Sequence, residues 1–171
     1  MRIRAVSLVV IIVSLLAVTA CGSSTPPPAG GPASGTSAVP AAFTAPVLAG
    51  GTFDGASLAG RPAVLWFWAP WCGTCAGQAE TVRGLADTYQ GRVTVLGVAG
   101  MGKVPEMNDF VKTFKLQNLT HLADEQGAVY RRFGITQQST YALLDASGKV
   151  LGRGPLDNDD LAERVKALAA G

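Results

Sequence analysis

The 171 residues hold only three cysteines and a single histidine. A structural zinc site takes four such ligands, so the whole supply, Cys21, Cys72, Cys75 and His121, would have to converge on one point; no metal is expected. Charge is scarce too, at 15% of residues, with 14 basic side chains against 12 acidic ones. No basic run or basic-aromatic patch interrupts it, which excludes nucleic acid as an expected partner. Long apolar runs are also missing. The uncharged stretch Ala5 to Val18 is short for a spanning helix, which needs about 20 apolar residues.

That stretch follows Arg2 and Arg4, so it reads as an export signal rather than as part of the fold. It ends in Val18-Thr19-Ala20-Cys21, small residues before a cysteine, as in the bacterial lipoprotein signal. Residues 1–20 are therefore expected to be removed and Cys21 lipidated, anchoring the chain to the outer side of the cell membrane. An uncleaved signal anchor is the alternative, and either places the rest outside the cytoplasm. Gly22 to Ala42 contains no charge and little besides Gly, Ser, Thr, Pro and Ala. Such a composition cannot bury enough surface to offset the entropy of ordering, so 21–42 is expected to be a tether. Residues 43–171 suffice for one domain.

Within that domain Trp71-Cys72-Gly73-Thr74-Cys75 stands between two contrasting patterns. Ala63 to Trp68 is wholly apolar and rich in aromatic and β-branched residues, which predicts a strand buried on both faces. Ala76, Ala79, Val82, Leu85 and Ala86 recur at helical spacing, which places Cys72 at a helix start. Unpaired amides and the positive helix end favour a thiolate there, making Cys72 the candidate nucleophile. Cys75, one turn in, is placed to resolve a mixed disulfide on Cys72. A structural disulfide is the bland alternative. The remaining pattern predicts an extended segment at Thr52-Phe53 and a turn at Ser57 to Gly60. A buried strand over Val93 to Val98 is expected next, then a helix from Pro105 to Phe114 and a strand over Thr120 to Ala123. A helix from Glu125 to Phe133, a hairpin of Tyr141 to Asp145 with Val150 to Arg153, and a last helix from Leu156 to Ala169 complete the order. Strands alternating with helices predict an α/β fold with a central mixed β-sheet.

On that order the chain resembles the thioredoxin superfamily, in particular its exported, membrane-tethered thiol:disulfide oxidoreductases. The resemblance is carried by Trp66 to Cys75, by Gly97-Val98-Ala99-Gly100 and by Phe133-Gly134-Ile135-Thr136-Gln137-Gln138. It implies a thioredoxin-like sheet flanked by helices, Cys72 as an exposed attacking sulfur, Cys75 as the resolving one, and no cofactor. Trp71, Gly73 and Thr74 would form the active-site loop, and Gln138 would contact substrate. Trp68, Gln78 and Glu80 are expected behind the sulfurs. The chain departs from the family pattern in four places. Ser139 stands where the family has a cis-proline facing the sulfurs. A cis Gln138–Ser139 bond would cost about 2.5–4 kcal/mol against about 0.5–1 before proline, so either the fold forces it or the loop turns trans and changes shape. The Ser139 hydroxyl could then bond the Cys72 thiolate, or the residue could be a tolerated loop substitution. Gln78 replaces an acid common in exported relatives and cannot titrate. Glu80, two residues on, replaces a proline and is expected to favour the helix dipole. Trp66 takes the place of the buried aspartate of cytosolic thioredoxins.

His121 is expected to be solvated or at the core edge, Met101 and Met107 to be packing residues, and Phe110 and Phe114 to be core. The resulting expectation is an extracytoplasmic oxidant that acts on thiols of exported proteins, is reoxidised by a membrane partner and works as a monomer. A reductase serving cytochrome c maturation is the alternative. A redox-inactive binder of thiols or soft metals is another.

Overall fold

The computed structural model describes residues 43–171, so the signal, Cys21 and the tether lie outside the described residues. The elements are β1 (Thr44–Pro46), β2 (Thr52–Asp54), a 3-10 turn (Gly55–Leu58), β3 (Ala63–Trp68), α1 (Gly73–Thr88), β4 (Thr94–Gly100), α2 (Val104–Thr113), β5 (Thr120–Asp124), α3 (Ala128–Arg132), β6 (Thr140–Leu144), β7 (Val150–Gly154) and α4 (Asn158–Leu168). A five-stranded sheet has the order β5-β4-β3-β6-β7, and β1 pairs with β2 apart from it. β3, β4 and β5 run parallel, whereas β6 is antiparallel to β3 and β7 to β6. The fold is thus α/β with a mixed sheet, as the alternation of patterns predicts.

β3 is central, and all six of its residues are buried. Its alternate side chains enter two separate cores, because a strand points successive residues to opposite faces. Val64, Trp66 and Trp68 pack with Cys75, Ala79 and Val82 of α1, Met107 and Phe110 of α2, and Leu161 and Val165 of α4. Ala63, Leu65 and Phe67 pack with Val129 and Tyr130 of α3 and with Phe133. Helices on both sides explain why the strand reads as an unbroken apolar run.

Most elements fall within a residue or two of their expected bounds. β1 was not expected, since three residues ending in Pro46 carry too short an alternation to read. α3 is shorter than Glu125 to Phe133 because Gly127 takes a left-handed φ of 66° and starts the helix afresh. The backbone N–H of Lys103 donates to Glu106 at 2.8 Å, which satisfies an amide at the start of α2. Met107 is buried as expected, but Phe114 is only half-buried and Met101 is 42% exposed in a left-handed conformation, so Met101 does not pack as a core residue.

Candidate active site

β3 ends at Trp68, and the chain turns through Ala69, Pro70 and Trp71 into α1. This delivers Cys72 to the N-cap position, where its side chain accepts the backbone N–H of Cys75 at 3.1 Å. A sulfur thus takes the place that a serine or aspartate oxygen usually fills. Cys72 and Cys75 form a disulfide with Cα atoms 5.2 Å apart. Cys72 is 6% exposed and Cys75 fully buried. Cys72 is therefore the accessible sulfur, although far less open than the resemblance implies.

Ser139, just before β6, is brought onto the pair by the β3–β6 pairing. Its hydroxyl lies 3.0 Å from Cys72 Sγ and 3.2 Å from Cys75 Sγ. No cis peptide bond occurs among the described residues, and Ser139 instead takes a left-handed φ of 60°. The loop has therefore turned trans, and the conformation that a proline would forbid is what aims the hydroxyl at the sulfurs. Gln138 beside it is half-buried.

The residues expected behind the sulfurs divide. Gln78 is buried, but its Oε1 accepts Trp66 Nε1–H at 2.9 Å and its amide reaches the Leu156 carbonyl at 3.5 Å. Trp66 and Gln78, the two positions where the resemblance implies an acid, thus hold neutral groups bonded to each other. Glu80 is exposed on α1, eight residues into the helix, where the pull of the helix dipole is weak. Trp68 is buried, and its Nε1–H donates to His121 Nδ1 at 3.2 Å while its carbonyl accepts the Tyr130 hydroxyl at 3.0 Å.

His121 is not solvated; it is 3% exposed, near the start of β5, the edge strand of the sheet. Its Nδ1 accepts from Trp68, so Nε2 carries the proton and donates to the Leu116 carbonyl at 3.1 Å. Burial pushes its pKa down from 6.5 to about 4, opposed by the Leu116 hydrogen bond. Gly97 opposite it is required, because a Cβ there would overlap the imidazole. Sequence reasoning missed this use of His121, although Gly97 inside an apolar strand was a signal of close approach.

Around the sulfurs, Gly73 and Thr74 are exposed and Trp71 is 61% exposed. The Trp71 indole donates to the Met101 carbonyl at 2.6 Å, so the left-handed Met101 steadies the loop through its backbone. No sequence signal marks a contact made by a main-chain carbonyl. Among the described residues no group of three or more His, Cys, Asp or Glu side chains is arranged to hold a metal.

A disulfide at a helix N-terminus on the end of a central strand is the arrangement of a dithiol exchanger, and a family model described as Redoxin matches residues 33–168. The chain belongs to the Redoxin family. This redoxin is 38% identical over 132 residues to the soluble secreted antigen MPT53 of Mycobacterium tuberculosis, covering 75% of each chain. It is 32% identical over 118 residues to the thiol:disulfide interchange protein DsbE homolog of Paracoccus denitrificans, covering 61% of this chain and 60% of that one. Among solved structures, DsbF of MTB, captured in mixed oxidized and reduced forms, superposes with a TM-score of 0.72 at 46% identity, over 76% of this redoxin and 97% of DsbF. A secreted M. tuberculosis disulfide oxidoreductase homologous to E. coli DsbE gives 0.68 at 36% identity, over 74% and 96%. The redoxin is a thiol:disulfide oxidoreductase with a thioredoxin-like fold.

Proposed function

We propose that the Cys72–Cys75 pair is an oxidant that introduces disulfides into exported proteins. The observation that carries this reading is the Cys75 amide on Cys72 Sγ at 3.1 Å, at the first turn of α1. A thiolate at Cys72 keeps that bond and faces the positive helix end, so the reduced pair is stabilised and the disulfide accepts electrons more readily. The neutral Gln78, held on Trp66, adds no negative charge to oppose this.

In the forward step a substrate thiolate attacks Cys72 and expels Cys75. A second substrate thiol then releases Cys72, leaving the pair reduced and the substrate oxidised. Gln138 and Ser139 contact the substrate chain, while exposed Trp71, Gly73 and Thr74 border it. The domain at 43–171 works as a monomer on a tether (21–42) fixed by a lipid on Cys21, after removal of residues 1–20, and a membrane partner reoxidises it. The Val18 to Cys21 motif supports the anchor, and the relative MPT53 is named a secreted antigen.

The reduction potential of the pair tests the direction. A value near −120 mV, with oxidation of a reduced unfolded protein, supports the oxidant, whereas one near −270 mV makes the domain a reductase. A mixed disulfide that persists on Cys72 without turnover marks a binder instead. The intact mass of membrane-extracted protein tests the lipid, and a Cys21 without acyl groups would rule it out.

A further inference from the structure

Thiol:disulfide exchange at this pair leaves one atom in difficulty. When Cys72 is attacked, the electron pair of the breaking S–S bond goes to Cys75 Sγ, and Cys75 has no exposed surface. A thiolate there is desolvated and needs a proton quickly. At the position where the resemblance implies an acid to supply it stands Gln78. Gln78 sits one turn further along α1, cannot titrate, and has its carbonyl oxygen committed to Trp66 and its amide turned to Leu156. The polar side chain on Cys75 Sγ is Ser139, at 3.2 Å, and the same hydroxyl touches Cys72 Sγ at 3.0 Å. Ser139 itself is only half-buried, whereas Cys75 has no exposed surface.

We propose that the Ser139 hydroxyl is a catalytic proton relay to Cys75. As the substrate thiolate bonds to Cys72 Sγ and the Cys72–Cys75 bond breaks, Ser139 O–H passes its proton to Cys75 Sγ. Its oxygen takes a proton from water in the same movement. The proton arriving at Cys75 balances the one the substrate thiol gave up on ionising. The net change is one substrate S–H and one internal disulfide converted into one mixed disulfide and one Cys75 S–H. The substrate sulfur is oxidised and Cys75 is reduced. In the reverse direction the same hydroxyl removes the Cys75 proton as that sulfur attacks the mixed disulfide. The left-handed backbone at Ser139 serves this role, since it is what turns the hydroxyl between the sulfurs.

The relay rests on thiol:disulfide exchange at the pair and not on its direction, and the two are separated by what is measured. A relay lowers one barrier from both sides and leaves the equilibrium alone. The full-length protein, Ser139→Ala and Ser139→Gly are compared in stopped-flow reduction by dithiothreitol and oxidation by oxidised dithiothreitol, alongside the reduction potential. Glycine accepts the left-handed backbone without strain, so it reports loss of the hydroxyl even where alanine misfolds. At neutral pH both rates should fall together by about a hundredfold or more, the low edge of what a positioned proton donor contributes. The potential should stay unchanged. The loss should shrink as pH rises through the Cys75 titration, located by thiolate ultraviolet absorbance, because a thiolate leaving group then needs no proton. Unchanged rates in the glycine variant would overturn the relay. So would a loss independent of pH, which marks a merely positional role. Forward and reverse rates moving in opposite directions with a shifted potential would overturn it too, by assigning Ser139 to stabilising the Cys72 thiolate.

Discussion

At the residue scale His121 shows how tightly a polar group can be held in an apolar sheet. Both ring nitrogens are satisfied, by Trp68 and by the Leu116 carbonyl, and the ring packs edge-on to Trp68 with centroids 5.5 Å apart. A proton on Nδ1 would face the Trp68 N–H and lose that bond, which adds to the desolvation that lowers the pKa to about 4. The unfolded chain therefore binds this proton first as pH falls from an ordinary 6.5. The contribution of His121 to stability is complete above about pH 6.5 and declines as pH falls toward 4. The shift from 6.5 to about 4 amounts to about 3 kcal/mol at most. Urea denaturation of the oxidised protein between pH 7 and pH 4 should show this fall, and a His121→Gln variant should lack that share of the slope. An identical slope in the variant would assign the acid lability to carboxylates. The Cys72–Cys75 disulfide, by contrast, was legible in the sequence, because two thiols in one helical turn can close into one.

At the scale of elements, the first two turns of α1 are built around neutral groups. Cys72 caps the helix, Cys75 lies beneath the cap, and Gln78 continues the same inward face to meet Trp66 of β3. Replacing Gln78 by Leu keeps the volume roughly but strands the buried indole N–H of Trp66. The expected cost is about 1–3 kcal/mol, the penalty for an unsatisfied buried donor, read as a lower urea midpoint at unchanged m. A neutral result would mean that the indole finds another acceptor. The helix itself was legible from its 3.6-residue period and from the apolar strand before it. The start of α3 differs from the expected one for a local reason, the left-handed Gly127 at its N-cap, and β1 is illegible because three residues carry no period.

For the whole molecule, the redox pair and the core are one structure. Cys72 and Cys75 belong to the same packed cluster as Trp66, Trp68 and Phe110, and Trp68 stacks on Phe110 at 4.5 Å. Reduction is therefore a change at the edge of the core. If the pair is the oxidant proposed above, the reduced fold is the more stable one, since a high potential means that folding favours the dithiol. Thermal or urea melts of the two forms should then give the higher midpoint after reduction by dithiothreitol. A higher midpoint for the disulfide form would agree with a reductase and contradict the oxidant.

The residues alone disclose a dithiol at the end of a doubly buried strand and the start of a helix, in an alternating α/β order. These are local properties, set by apolar period, capping and the spacing of two sulfurs. What surrounds the sulfurs is set by long-range strand pairing. Ser139 lies 67 positions from Cys72, and His121 lies 53 from Trp68. Their meeting depends on β6 and β5 taking their places beside β3 and β4, and strand order is settled by how whole faces are buried rather than by any short stretch of residues. The trans, left-handed Ser139 follows from the same cause, since the pairing of β6 with β3 holds the loop on the disulfide and the serine accepts the backbone this requires.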